Sequence, residues 1–126
     1  MKVVISGSVR HNGQYMKRLR EELEAKGHEV FSPEMVPYPK THDPKEKAVD
    51  RRVYFKEIQD ADAVVVATRG HIGIGTALEI GYALSFGKPI FFTDETEVDE
   101  LRAMLQDQSA SLYSTWEHTL GSKKQN

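Results

Sequence analysis

There is no cysteine among the 126 residues. Disulfides, thiolate zinc sites, iron–sulfur clusters and cysteine nucleophiles are therefore excluded. Neither charge is in excess: 17 Lys+Arg stand against 19 Asp+Glu, a net charge of −2. No basic stripe points to a nucleic-acid polymer, and no acidic tract points to disorder. Long apolar runs are missing too, since none approaches the roughly 20 residues of a membrane span. Met1 leads straight into KVVIS without the apolar core of a secretory signal, so a cytoplasmic protein with no membrane partner is expected. The five histidines, at 11, 28, 42, 71 and 118, are too scattered for a metal-ligand spacing. Neither metal nor cofactor is expected. Whatever chemistry the chain performs must use oxygen and nitrogen side chains.

What is present is the composition of an ordinary globular domain, 39% hydrophobic and 29% charged. Residues 1–126 are expected to form a single domain around one core. Four short apolar runs, at 2–6, 28–32, 63–68 and 89–93, alternate with helix-length segments. The first and third are β-branched and apolar on both faces, as strands covered on both sides must be. Segment 14–26 places Met16, Leu19 and Leu23 on one stripe and is followed by Gly27, a helix-ending signal. Segment 46–60 carries Val49, Val53 and Ile58 near one face. Segment 76–86 is apolar nearly all round, which predicts a largely buried helix ended by Gly87 and Pro89. A fourth helix is expected over 95–106, capped near Thr93 or Asp94.

This alternation predicts a three-layer α/β fold, flavodoxin- or Rossmann-like, with a parallel sheet of four to five strands and right-handed crossovers. Ligands then bind outside the carboxyl ends of the strands, where strand order reverses. Residues 33–44 hold four of the five prolines, so a flexible loop is expected over 33–45. A short last element is expected within 112–120, and a frayed tail over 121–126.

Two β–α loops attract chemistry. After the first run comes Ser6-Gly7-Ser8-Val9-Arg10, with Gly13 beyond it. Small residues at Gly7, Ser8 and Val9 let backbone N–H groups approach an anion, and Arg10 adds a charged contact to phosphate. A tight turn with a solvated arginine accounts for the same residues equally well. The spacing matches neither the dinucleotide G-x-G-x-x-G nor the P-loop. After the third run, Gly70, His71, Gly73, Gly75 and Thr76 lead into a helix, with Glu79 placed in its first turn. The helix dipole is expected to keep that carboxylate ionised and nucleophilic. Gly81 and Ala83 are small enough to press the helix onto the sheet. Asp62, at a strand entrance, is more simply a turn or cap residue.

GSVR after the first run, Ala61-Asp62 ahead of the third, and GIGTALEIGYALSFGKPIFF over 73–92 resemble the nucleoside 2-deoxyribosyltransferase family. That family includes the 2'-deoxynucleoside 5'-phosphate N-hydrolases. The likeness runs from residue 2 to about residue 93. The cytokinin-activating phosphoribohydrolases share the shorter pattern G-x-G-T-x-x-E at 73–79. Both groups cleave N-glycosidic bonds, so the resemblance implies a small nucleoside or nucleotide substrate. It implies that Glu79 attacks C1' to give a covalent glycosyl-enzyme, as in retaining glycosidases. Water then gives hydrolysis, and a second base gives exchange. Gly73, Gly75 and Thr76 would hold a 5'-phosphate, with Ser8 and Arg10 opposite. His71 is a candidate for contact with phosphate or base, and a solvated histidine accounts for it equally well. Tyr38, His42 and Tyr54 are candidates to line the base pocket, and Tyr54 suits the core equally well. The family's C-terminal region often reaches a neighbouring subunit, which implies a homodimer or larger homo-oligomer, with Tyr113 and Trp116 as core or interface residues.

Two positions and one spacing depart from the family pattern. Val4 stands where an aromatic residue is usual, and Tyr54 where a helix aspartate helps set the sugar hydroxyl and the leaving base. One extra residue separates the glycines from Glu79. Asp50, one helical turn before Tyr54, is the candidate substitute for that aspartate. These departures leave a second reading open: a catalytically inactive nucleotide-binding or sensing module of the same fold.

Overall fold

The computed structural model describes residues 1–35, 44–67, 72–94, 99, 101, 103 and 112–115, with side chains left out at 9–11, 44–50 and 112–115. Five strands form one sheet: β1 (Lys2–Ser6), β2 (Glu29–Phe31), β3 (Ala63–Val66), β4 (Ile90–Phe92) and β5 (Leu112–Thr115). Their order is β2-β1-β3-β4-β5 and every neighbouring pair is parallel. This is the flavodoxin-like order, in which the chain reverses its direction of winding between β1 and β3. The alternating pattern of the sequence thus becomes the α/β sheet that it predicts.

Because successive strand residues face opposite ways, each strand feeds two cores. Val3, Ile5, Ala63, Val65 and Phe91 face α1 (Val9–Ala25), meeting Met16, Leu19 and Leu23. Val4, Val64, Val66, Ile90 and Phe92 face α2 (Pro44–Asp60) and α3 (Ile74–Ser85), meeting Tyr54, Ile58, Ile80 and Ala83. The two helices on this face are joined by Phe55 stacked on Tyr82, with ring centroids 4.2 Å apart. Gly27 and Gly87 follow α1 and α3 at φ +93° and +65°, left-handed values that favour glycine.

Several element expectations need correction. The first helix starts at Val9, not at 14, so Gly13 lies inside it, and a kink at Asn12 (φ −132°, ψ 18°) marks the join. The polar stretch 9–13 carries no apolar period from which a helix could be read. On α2, Val53 is exposed and Tyr54 takes the inward place. The third helix starts at Ile74 and is not buried all round: Ile74 is 84% exposed, and Leu78 and Phe86 are each about half exposed. Gly81 also faces outward, with nothing near the place a Cβ would occupy, whereas Ala83 is fully buried. Asp62 takes the structural role, its Oδ2 accepting the Lys2 backbone N–H at 2.8 Å. The expected loop 33–45 begins with a 3-10 turn at Pro33–Met35, and its remainder, with Tyr38 and His42, lies outside the described residues up to the start of α2. Most of the expected fourth helix, Trp116 and the tail 121–126 lie outside them too, although Asp99, Leu101 and Ala103 are helical. Among the described residues, no helix is long and apolar enough to cross a membrane.

Candidate active site

The carboxyl ends of β1 and β3 lie side by side at the winding reversal, with Ser6 in register with Val66. A helix follows each strand, α1 after Gly7 and Ser8, and α3 after Gly73. Gly7 packs so tightly that a Cβ there would collide with the Ala67 carbonyl oxygen. Only glycine allows that approach. Ser8 is the N-cap of α1 and Gly73 the N-cap of α3, neither through a side-chain hydrogen bond.

Ser6 shares the strand parity of Val4, so its side chain emerges on the α2/α3 face. There it meets Glu79. The Ser6 hydroxyl donates to Glu79 Oε1 at 2.5 Å, and both residues are buried. The other carboxylate oxygen, Oε2, is paired with the guanidinium of Arg51 from α2. Glu79 is the sixth residue of α3, so it belongs to the second turn, not the first. Thr76, Glu79, Ile80 and Ala83 form the buried stripe of that helix.

This position overturns the expected electrostatics. Helix-dipole effects fade beyond the first turn, while the side chain of Glu79 is only 6% exposed. Burial pushes its carboxyl from 4.5 up to about 7, although the Ser6 hydroxyl and the Arg51 charge both pull it down. At neutral pH the group is therefore poised between acid and carboxylate, a state typical of functional sites.

Tyr54 lies beneath the site and not in it. Its ring is buried, edge-on to Phe31 with centroids 5.1 Å apart, and its hydroxyl donates to the Ile5 carbonyl at 2.8 Å. Burial, with the nearby Glu79 charge, holds that hydroxyl well above the ordinary phenol range. The residue expected at the base pocket is thus a strut between α2 and β1. Thr76 sits one turn before Glu79 and is buried. The Arg51 guanidinium lies over Gly75, close enough that a Cβ there would collide with Nη2. Gly7, Ser8, Gly73, Gly75, Thr76 and Glu79 are all described at or beside the two strand-to-helix junctions. His71 lies outside the described residues, and Val9, Arg10 and Asp50 are placed in helices without side chains. Among the described residues, no group of three His, Asp or Glu could hold a metal ion.

Arg51 is the residue that sequence reasoning missed. A readable signal existed: Arg51, Tyr54 and Ile58 are spaced i, i+3, i+7, so an inward Tyr54 and Ile58 carry Arg51 to the same face. A carboxylate buried on the neighbouring helix makes that arginine its natural partner.

The nucleoside 2-deoxyribosyltransferase family model matches residues 6–113. A direct comparison with curated protein sequences finds no match. Among solved structures, a 2-deoxyribosyltransferase from Bacillus psychrosaccharolyticus is 20% identical, with a TM-score of 0.69 over 97% of this chain and 92% of that one. The CMP N-glycosidase BcmB of Clostridium botulinum is 18% identical, with a TM-score of 0.62 over 96% of each chain. The solution structure of BlsM is 23% identical, with a TM-score of 0.62 over 92% of this chain and 80% of that one. These similarities establish a shared fold, and the family match covers β2, β3, β4, both glycine segments and Glu79. The chain belongs to the nucleoside 2-deoxyribosyltransferase family.

Proposed function

We propose that the protein cleaves the N-glycosidic bond of a (deoxy)nucleoside or its 5'-monophosphate, with Glu79 as the nucleophile. The observation that carries this reading is a buried glutamate at the winding reversal of the sheet, hydrogen-bonded to Ser6 and paired with Arg51. In the ionised form, a Glu79 oxygen forms a bond to C1' of the sugar while the C1'–N bond breaks. The electron pair leaves with the base, which takes up a proton from solvent. Water attacking C1' of the glycosyl ester gives the free sugar, and a second base gives a new nucleoside; either releases the Glu79 carboxylate.

The remaining site assignments follow from family membership. Gly73, Gly75 and Thr76 on one side, with Gly7, Ser8, Val9 and Arg10 on the other, form the rim for the sugar or its 5'-phosphate. His71 contacts that phosphate or the base. Asp50 takes the part of the family's helix aspartate, since Tyr54 spends its hydroxyl on Ile5. Self-association through α3 is supported by its outward apolar stripe of Ile74, Leu78 and Phe86, and sedimentation velocity measures it.

Base release from a panel of nucleosides and 5'-monophosphates, followed by chromatography, tests the reading. A free second base in the mixture separates exchange from hydrolysis. Glu79→Ala is expected to lower turnover by roughly three orders of magnitude, about 4 kcal/mol in the barrier. Equal turnover by that variant rejects the nucleophile. The core position of Tyr54 favours a second reading, a nucleotide-binding module without turnover. It predicts a nucleotide-dependent rise in Tm and no base release on the whole panel.

A further inference from the structure

Arg51 has no part in bond cleavage as proposed above, yet α2 delivers it to the only buried carboxylate among the described residues. Its Nη1 pairs with Glu79 Oε2 and lies 3.4 Å from the Gly75 carbonyl oxygen. The guanidinium rests against the bare Cα of Gly75, where any β-carbon would collide with it. On the opposite side, Ser6 holds Oε1. Two elements thus grip one carboxylate, each through a different oxygen. We infer that Arg51 is the positioning residue of Glu79, that Gly75 is kept bare to seat its guanidinium, and that Ser6 forms the opposing jaw. This inference deepens the N-glycosidase reading and rests on it for its consequence in catalysis.

A glutamate side chain has three rotatable bonds, and a freely turning carboxylate seldom meets C1' in line. Holding both oxygens removes that freedom before substrate arrives, which is the entropic part of preorganisation. The second contribution is electrostatic. Burial favours the protonated, non-nucleophilic acid, and a guanidinium beside Oε2 opposes this by stabilising the carboxylate. Among the described residues, the groups that act on the Glu79 carboxyl are Arg51 from α2 and the Ser6 hydroxyl from β1, with the Tyr54 hydroxyl nearby. Tyr54 stays protonated, so Arg51 supplies the only cation in this set. The side chain of Asp50, one position earlier on α2, lies outside the description. Arginine suits the place better than lysine, because its planar fork can lie flat on the α3 turn while bonding sideways.

The inference predicts that removing the guanidinium and evicting it have the same effect on Glu79. Arg51→Met removes it. Gly75→Ala evicts it while leaving the charge in the protein, and exchanges a helix glycine for alanine, which favours the fold by up to about 1 kcal/mol. That second variant keeps the test intact if Arg51→Met fails to fold. A carbon-13 NMR titration of the Glu79 carboxyl, assigned by its loss in Glu79→Gln, reads the effect without requiring turnover. The midpoint is expected to rise by about one pH unit or more in both variants, and by less in Arg51→Lys. The acid limb of kcat/KM on an active nucleoside should move up by the same amount in both, and Arg51→Met should show a lower kcat at its plateau with little change in KM. An unmoved midpoint in both variants overturns the inference. So does an unmoved acid limb with KM raised only for 5'-monophosphates, which would make Arg51 a phosphate ligand. A moved midpoint in a protein that cleaves nothing on the panel retains the clamp and rejects the N-glycosidase reading. Cleavage with an unmoved midpoint does the reverse.

Discussion

The two faces of the sheet are made by the same strands and nearly the same side chains, and they differ where the strands end. On the α1 face, Val3, Ile5, Ala63, Val65, Ala67 and Phe91 close over Met16, Leu19 and Leu23 as an apolar core. On the α2/α3 face, Val4, Val64, Val66, Ile90 and Phe92 make an equivalent layer, but polar groups are set into it. Tyr54 reaches the Ile5 carbonyl, Ser6 reaches Glu79, and Arg51 comes from the neighbouring helix. One face is optimised for packing. The other gives up part of that stability to keep a half-ionised carboxyl out of water. The candidate site is a local departure from packing rules, at the carboxyl end of β1 and β3 where the sheet changes its winding.

Three measurements sharpen or break this contrast. The largest effect belongs to the apolar face. Leu23→Ala deletes a fully buried side chain and should cost about 2–5 kcal/mol in chemical denaturation. Its acid limb of kcat/KM should stay where it was, because Glu79 and its partners Ser6 and Arg51 meet on the opposite face. A moved limb would show that the two cores are coupled.

Next comes the cost of Glu79 itself. Its carboxyl titrates near 7 in the folded protein and near 4.5 when unfolded, so the folded chain holds the proton more tightly. That contribution to stability is full below pH 4.5 and is lost as pH rises through about 7, up to roughly 3 kcal/mol. Glu79→Gln should therefore be more stable than the parent at pH 8, similar to it at pH 4.5, and flat between. Urea denaturation at the two pH values measures this. Equal loss of stability from pH 4.5 to 8 in both proteins would place the penalty elsewhere.

The smallest effect concerns the strut. Tyr54→Phe keeps the ring against Phe31 but withdraws the donor from the Ile5 carbonyl, at about 1 kcal/mol. Turnover should change little, since the hydroxyl is already committed to the backbone. A large loss of turnover at unchanged stability would return Tyr54 to the base pocket.

The β-branched runs of β1 and β3 were readable because strands covered on both faces leave an almost unbroken apolar signature. The glycine loops and Glu79 were readable for a similar reason, as small residues at a strand-to-helix junction constrain the backbone. What stayed hidden depends on tertiary context. An apolar α3 looks buried all round until its outer stripe of Ile74, Leu78 and Phe86 is seen facing solvent. A glutamate near a helix start looks dipole-stabilised until it proves to be one turn further in and buried, where desolvation outweighs the dipole. Arg51 sits in a run of charged residues and is marked out only by its phase relative to Tyr54 and Ile58. Its partner lies 28 residues away on another helix.

The contact of Gly7 with the Ala67 carbonyl carries a mechanical consequence. The turn leaving β1 is pressed against the end of β3, and the Ala67 N–H is bonded to the Ser6 carbonyl at 2.8 Å. The two strand ends therefore behave as one stiff block, to which Ser6 is anchored directly. Relative sliding of its two halves is opposed by both contacts. For an engineer this separates two design variables. Changes in the segments around the block leave it intact, whereas a side chain at position 7 would pry it apart and displace Ser6 from Glu79.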